Sequence, residues 1–265
     1  IKVASGRVWV AVFMIDSVAP IINVKDLSKT FIVAGEETKA LIDVNLEIFP
    51  GEFVVILGPS GCGKSTLLNT ILGLEAPDLG SIATRGCNIY NINDDEKTLF
   101  RQKNFGVVYQ QPNWIKSLSV LENIAFPLDA IGCNSKHSLA RAKHSLSIFS
   151  LETHAKHKPS ELSGGQQAKV AICRALIASP PIIIADEPTG NLDTASAVSV
   201  MKQFETLNHK YRRTVIMVTH NPVYTEYASK VIHMLDGKIS HIEIKDLIYE
   251  GADNNINRTS SRIIV

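Results

Sequence analysis

The hydrophobic positions of this chain change period several times, and each change marks an element. IINVKDLSKTF (21–31) alternates apolar and polar residues, as a strand with one buried face does. DVNLEIFPGEFVVILG (43–58) reads as a strand, a Pro-Gly turn and then FVVIL, an apolar run of the kind buried on both faces of a parallel sheet. KSTLLNTILGLE (64–75) then takes up helical spacing. The block 94–160 has few strand signals; within it LENIAFPLDAIG and SLARAKHSLSIFSL predict helices, and VVYQQPN (107–113) is a short apolar run ending at Gln110. PPIIIADEP (180–188) and RRTVIMVTH (212–220) predict two more buried strands, and VIHMLDGKISHI (231–242) predicts a hairpin turning at Asp-Gly. Strands alternating with helices make an α/β domain with a mostly parallel sheet, the 94–160 block being a helical insertion.

The folded domain is expected over 21–245. Residues 1–20 read as an extension with Met14 a candidate start, and 246–265 as a polar, frayed tail. VWVAVFMI (8–15) is too short to span a bilayer and lacks the small-residue cleavage pattern of a secretory signal; its rival reading is an amphipathic anchor.

Composition narrows the class without naming a function. The chain has 265 residues, 45% hydrophobic and 20% charged, which is ordinary for a soluble globular protein. Its net charge of +1 offers no electrostatic argument for a nucleic-acid partner or an anionic membrane surface, so no nucleic acid is expected. Cys62, Cys87, Cys133 and Cys173 lie far apart with no C-x-x-C pair, which suggests reduced thiols of a cytoplasmic protein.

The candidate chemistry sits at the strand ends. GPSGCGKST (58–66) satisfies G-x-x-x-x-G-K-[ST] between a strand and a helix. Gly58, Pro59, Ser60, Gly61, Cys62 and Gly63 would wrap a phosphate with backbone N–H groups. Lys64 would reach the β- and γ-phosphates, Ser65 would ligate Mg²⁺ and Thr66 would add an N–H to the α-phosphate. PIIIADEPTG puts Asp186 at the end of a buried strand, where it would hold Mg²⁺, and Glu187 next to it, where it would polarise an attacking water. A plain polar strand end is the other reading of that pair. Gln110 and His220 also end apolar runs, as a metal or water ligand and a γ-phosphate partner, or as structural residues. Cys62, near a helix start, is expected to carry a reactive thiol that nucleotide would protect. A second anion grip follows a hundred residues on: LSGGQQAKV (162–170) opens a helix with Ser163, Gly164, Gly165 and Gln166. His137, His144, His154 and His157 read as a solvated helical face rather than a metal site.

Taken in order, these strings resemble the nucleotide-binding subunit of an ATP-binding cassette transporter, over roughly 21–245. GPSGCGKST corresponds to the Walker A motif, Gln110 to the Q-loop, LSGGQ to the signature, IIIADE to Walker B, NLD with Asp193 to the D-loop and His220 to the switch histidine. The resemblance implies a P-loop NTPase core with a mostly parallel sheet, an antiparallel β subdomain and a helical subdomain. It also implies ATP and Mg²⁺ as ligands, a homodimer through an ATP sandwich, integral-membrane permease partners and a peripheral place on the cytoplasmic face of the inner membrane. In that sandwich Ser163–Gln166 would grip the ATP bound to the partner's phosphate loop. Phe31, after LSK, falls where the family stacks an aromatic on adenine, usually Tyr; a core Phe at a strand end is the rival reading. DEPTGNLD and YQQPNWIKSLSVLENIAFPL resemble the lipoprotein-release and macrolide-export branch, with cell-division cassettes nearby. That implies export or extraction of lipoprotein, peptide or drug-like substrate, or force transmission without transport. QQAKVAICRAL departs from that branch's QQQRVAIARAL at Lys169 and Cys173 as well as at Ala168, and at Lys169 a bidentate arginine contact is expected to be lost. The permease groove is expected around 109–128, with Trp114, Ile115 and Leu118 as its floor or as plain subdomain core.

Overall fold

The computed structural model describes residues 19–249 and 256–264. The expected anchor or extension over 1–18 lies outside the described residues.

Two sheets carry the fold. A four-stranded antiparallel sheet has the order β2-β1-β4-β5, from β1 Ile22–Val33, β2 Glu36–Ile48, β4 Leu79–Thr84 and β5 Cys87–Asn88. The main sheet has β3 Phe53–Leu57, β6 Phe105–Tyr109, β7 Ile182–Asp186, β8 Thr214–Thr219 and β9 Lys230–Leu235, all parallel, in the order β9-β3-β8-β7-β6. β10 Lys238–Tyr249 and β11 Ile256–Ile264 extend it antiparallel beyond β9.

The parallel strands are mostly apolar because both their faces are covered. Val54, Ile56, Ile184 and Ile216 meet the antiparallel sheet and α1 (Lys64–Ile71), whereas Phe53, Val55, Ile183 and Met217 meet α5 (Gly164–Leu176) and α6 (Thr194–His209). Period two along a strand sends neighbours to opposite layers. Each such side chain, fully buried, contributes about 1.5–3 kcal/mol.

α2 (Asp94–Asn104), α3 (Val120–Ala130) and α4 (Ser135–Ile148) lie in the expected helical block. α3 and α4 share a third core with α5. α5 is two-faced: Ala168, Ala171, Ile172 and Ala175 pack on the sheet side, Val170, Cys173 and Ile177 on the α3–α4 side. Cys173 is therefore core, its thiol donating to Ser145 O at 3.6 Å, and burial pushes its pKa up to about 12. Lys169 is half-buried and makes no ion pair among the described residues.

Four expectations need correction. The block 94–160 is not wholly an insertion, because β6 within it is an edge strand of the main sheet, beside β7. The helix expected over 64–75 ends at Ile71: Gly73 is left-handed at φ 68°, and a Cβ there would lie 2.6 Å from Ile89 Cδ1. The domain does not close at 245, nor is 246–265 only a tail. β10 runs to Tyr249, and Ile256–Ile264 pairs with it from Ile242↔Ile264 to Tyr249↔Ile256.

Candidate active site

The register of the parallel strands assembles the site. Leu57 pairs Thr219, Asp186 pairs Val218, and Tyr109 pairs Asp186, so the carboxyl ends of β3, β8, β7 and β6 finish nearly level. The residues that follow each end, Gly58 onward, His220, Glu187 and Gln110, therefore emerge along one edge. Open α/β sheets bind ligands there. A cavity of about 640 Å³ opens at this edge, lined by Lys64, Ser65, Thr66, Gln110, Asp186, Glu187 and His220.

Lys64 is held inside the phosphate loop. Its Nζ donates to Gly58 O at 2.8 Å and to Pro59 O at 2.7 Å, while the residue is 8% exposed. An ammonium so caged is pre-positioned and loses little further freedom on meeting an anion. Gly63 caps α1 at φ 100°, where a Cβ would stand 2.3 Å from Ala40 O; only glycine lets β2 come so close. Ser60, Gly61 and Gly63 line the cavity, but Gly58, Pro59 and Cys62 do not.

The Cys62 expectation is corrected on this point. The residue is 3% exposed and packs in the core between the two sheets. Gly58 makes room for it, since a Cβ at Gly58 would lie 2.7 Å from Cys62 Sγ. Its main chain ties into the loop, with Cys62 N–H on Pro59 O at 3.4 Å and Cys62 O accepting from Gly237 N at 3.2 Å, and its buried Sγ accepts from Lys64 Nζ at 3.9 Å.

Two carboxylates meet at the end of β7. Burial, then the neighbouring charge of Glu187, pushes the Asp186 carboxyl above the ordinary carboxylate range; Lys64 and a hydrogen bond from Ser65 pull it back. Ser65 hydroxyl, Gln110 amide and Asp186 carboxylate line one cavity, a hard oxygen set that fits Mg²⁺. A divalent cation there would also relieve the crowding of the two carboxylates. Glu187 takes φ 46°, a left-handed backbone that is unfavourable for a residue with a side chain. Its carboxylate is oriented by His220 Nδ1 at 2.7 Å and by Thr219 Oγ1, which donates at 3.3 Å. His220 thus touches the carboxylate beside the cavity as well as lining the cavity itself.

The second grip stands apart from the first. Ser163 caps α5, its Oγ accepting from Gln166 N at 3.3 Å while Gln166 Oε1 accepts from Ser163 N at 2.9 Å. Neither these two nor Gly164 and Gly165 line the phosphate-loop cavity. Asp193 is also outside it and caps α6, accepting from Ser196 N at 2.9 Å and Ser196 Oγ at 2.6 Å; those bonds pull its pKa down. Phe31, expected against adenine, is partly exposed with Lys29 Nζ 5.3 Å from its ring centroid; it does not line the cavity, but its strand partner Thr38 does.

Sequence reasoning missed Thr38, Lys39 and Ala40, which bring one wall from β2. Nothing in a strand's alternation announces which distant loop it will face.

A second cleft, about 430 Å³, lies beyond Gln110 and is lined by Gln111, Trp114, Gly164, Gln167 and Leu192. Trp114 Nε1 donates to Gln167 Oε1 at 3.0 Å, and the Arg174 guanidinium lies 4.5 Å from its ring centroid while donating to Pro112 O. Ile115 and Leu118 are half-buried around Asn123, whose amide ties down Ile115 and Leu118 O at 3.0–3.2 Å. Gln110 lines both clefts and rests on Gly190, where a Cβ would lie 3.0 Å from its Nε2. A third cleft of about 640 Å³, between α4 and α6, includes His137 and His144 but offers no carboxylate or phosphate loop.

A family model described as ABC transporter matches residues 41–190. An uncharacterized ABC transporter ATP-binding protein of Methanocaldococcus jannaschii is 44% identical over 221 residues, covering 83% of this chain and 98% of that one. The macrolide export ATP-binding/permease protein MacB of Pasteurella multocida is 39% identical over 220 residues, 83% of this chain but 34% of its own length. Among solved structures, the ATP-binding cassette MJ0796 in a dimeric post-hydrolysis state bound to ADP and Pi superposes with a TM-score of 0.79 at 39% identity, covering 84% of this chain and 98% of that one.

Proposed function

The chain belongs to the ABC transporter family and is one of its ATPases, and on that premise we propose that it energises a separate integral-membrane permease that exports or extracts a lipoprotein, peptide or drug-like molecule. The export branch is supported by likeness to MacB, which carries its permease in the same chain. Among the described residues no helix is long and apolar enough to cross a membrane. The permease it would drive places the protein peripherally at the cytoplasmic face in this reading.

One observation carries the reading: two phosphate grips in one chain that do not share a cavity. A second copy turned head to tail would bring its Ser163–Gln166 turn over the triphosphate held at Lys64, and the two copies would complete two sites. The dimeric relative bound to ADP and Pi supports that assembly.

Within each site the residues divide the work. Lys64 exchanges its carbonyl partners for phosphate oxygens and stabilises the charge that moves during transfer. Ser65, Asp186 and Gln110 would hold Mg²⁺, which when bound neutralises phosphate charge. Glu187 takes the proton of the attacking water, with His220 and Thr219 aiming its carboxylate. Gln110, shared by the site and the neighbouring cleft, reports occupancy to the surface where Trp114, Ile115 and Leu118 would receive a permease helix. Asp193 anchors the start of α6 at the seam, and Phe31 would meet adenine only by turning from Lys29.

Glu187→Gln tests this. Turnover should fall about 10²–10⁴-fold, and sedimentation should show a dimer that persists with ATP. A variant that hydrolyses at the parental rate and stays monomeric with ATP would sink the sandwich. Purification from native membranes with no membrane-spanning partner would sink the transport role while leaving the ATPase intact.

A further inference from the structure

His233 on β9 and His241 on β10 face each other across the ladder, and Glu243 lies two residues further along the same side of β10. The pairing arises from a bulge. Ile239 pairs Met234 and His241 pairs His233, so Ser240 is an extra residue on β10. The two imidazoles stack at 4.0 Å with an 11° tilt. His233 Nε2 lies 2.8 Å from Glu243 Oε1, and His241 Nε2 lies 3.6 Å from the same oxygen.

The bulged serine favours a proton on His241 Nδ1. Ser240 Oγ donates its only hydrogen to His233 O at 3.1 Å. Toward His241 Nδ1, also at 3.1 Å, the hydroxyl oxygen must therefore accept. With a proton held on Nδ1, Nε2 is the ring nitrogen free to ligate. Nε2 faces the Glu243 carboxylate oxygen at 3.6 Å, and a positive charge between the two, a proton or a metal ion, joins them. A serine fixing Nδ1–H from behind is the outer-shell support that metal-bound histidines have.

We propose that His233, His241 and Glu243 form a binding site for a transition-metal ion of the zinc class. Two imidazole nitrogens and one carboxylate, with water completing the set, suit zinc and not magnesium. Their ligand atoms all lie within 4.8 Å of one another. The observed 2.8 and 3.6 Å separations bracket the roughly 3.3 Å donor spacing of a tetrahedral site with zinc bonds of about 2.05 Å. To close it the two rings, nearly parallel in this structure, must turn so that both Nε2 lone pairs point at one ion. The side chains are 24–33% exposed, so an ion can reach them. The site also abuts the phosphate loop: His233 pairs with Leu57, the last residue before it, and the β9–β10 turn binds the loop through Gly237 N on Cys62 O. A bound ion would pin the hairpin that forms the back wall of that loop.

Metal-free protein titrated with Zn²⁺ against a chromophoric chelator, and with Co²⁺ followed by visible absorption, tests the site. One equivalent should bind and raise the melting temperature. His233→Ala and His241→Ala should each weaken zinc at least tenfold, while a His154→Ala/His157→Ala variant keeps parental affinity. Ser240→Ala, which leaves all three ligands in place, should weaken it about tenfold by freeing the tautomer, and it keeps the test decisive should a histidine variant fail to fold. Parental protein that takes up no zinc, or zinc held by the His241→Ala and Ser240→Ala variants as tightly as by the parent, overturns the proposal. The first result would mean that the cluster holds only protons.

Discussion

Gly165 separates two roles that one glycine can serve. In this chain it lets α5 start against α6: a Cβ at Gly165 would lie 2.6 Å from Ser196 Oγ and 3.0 Å from Ser196 Cβ. Real side chains do not sit that close, so in Gly165→Ala the serine must move. Its hydroxyl is bonded to Asp193 Oδ2 at 2.6 Å, so the move weakens the cap of α6 as well. Overpacking of this kind costs about 1–3 kcal/mol, and the better helix propensity of alanine returns at most about 1 kcal/mol. The net loss, up to about 2 kcal/mol with the full propensity gain, corresponds to a fall in Tm of up to roughly 8 °C for a domain of this size. Thermal unfolding of nucleotide-free protein measures it. Adding Ser196→Gly removes both clashing atoms and leaves only Ser196 Cα, at 4.0 Å. The two substitutions should therefore couple by about 1 kcal/mol or more in a double-mutant cycle, with Gly165→Ala nearly harmless in the Ser196→Gly background. If Gly165 also grips the second copy's triphosphate, ATPase activity should stay low in the double variant even though its Cβ points at α6. An additive cycle would refute the packing argument. Full recovery of ATPase with stability would refute the phosphate-gripping role and leave Gly165 as a packing residue alone.

Two further outcomes follow from burial. Asp186 holds its proton to higher pH in the fold than in the unfolded chain, so ionising it costs stability as pH rises through the window above its ordinary 3.8. Asp186→Asn should then melt higher than the parent at pH 7 while losing Mg²⁺-dependent ATPase, and an equal or lower melting point would show that burial does not strain this carboxylate. For the thiols, Cys87 and Cys133 are half-buried whereas Cys62 and Cys173 are buried. Native protein should therefore react quickly with a maleimide at the first pair and at all four only when unfolded; rapid labelling of Cys62 would mean that the phosphate loop opens.

Much of the site was legible before any coordinates, for a definite reason. FVVIL, IIIAD and TVIMVT are apolar because their strands are covered on both faces, and chemistry in an α/β sheet gathers where such runs stop. Lys64, Gln110, Asp186, Glu187 and His220 follow from that rule together with the motif strings, and all line one cavity. Less readable was β6, whose five residues Phe105–Tyr109 are flanked by helices and look like part of their block. Short apolar runs carry no information about which sheet they join.

Periodicity and motif order, which are properties of neighbours along the chain, determined the element types, the nucleotide chemistry and the two separate grips. Tertiary structure alone decided what depends on register between distant strands. It set the wall from Thr38 to Ala40, the inward turn of Cys62, the His220–Glu187 contact, and the bulge that sets His241 opposite His233. A one-residue slip in any of those pairings would send the same side chains to the opposite face, and local sequence has no means of recording which register long-range packing will select.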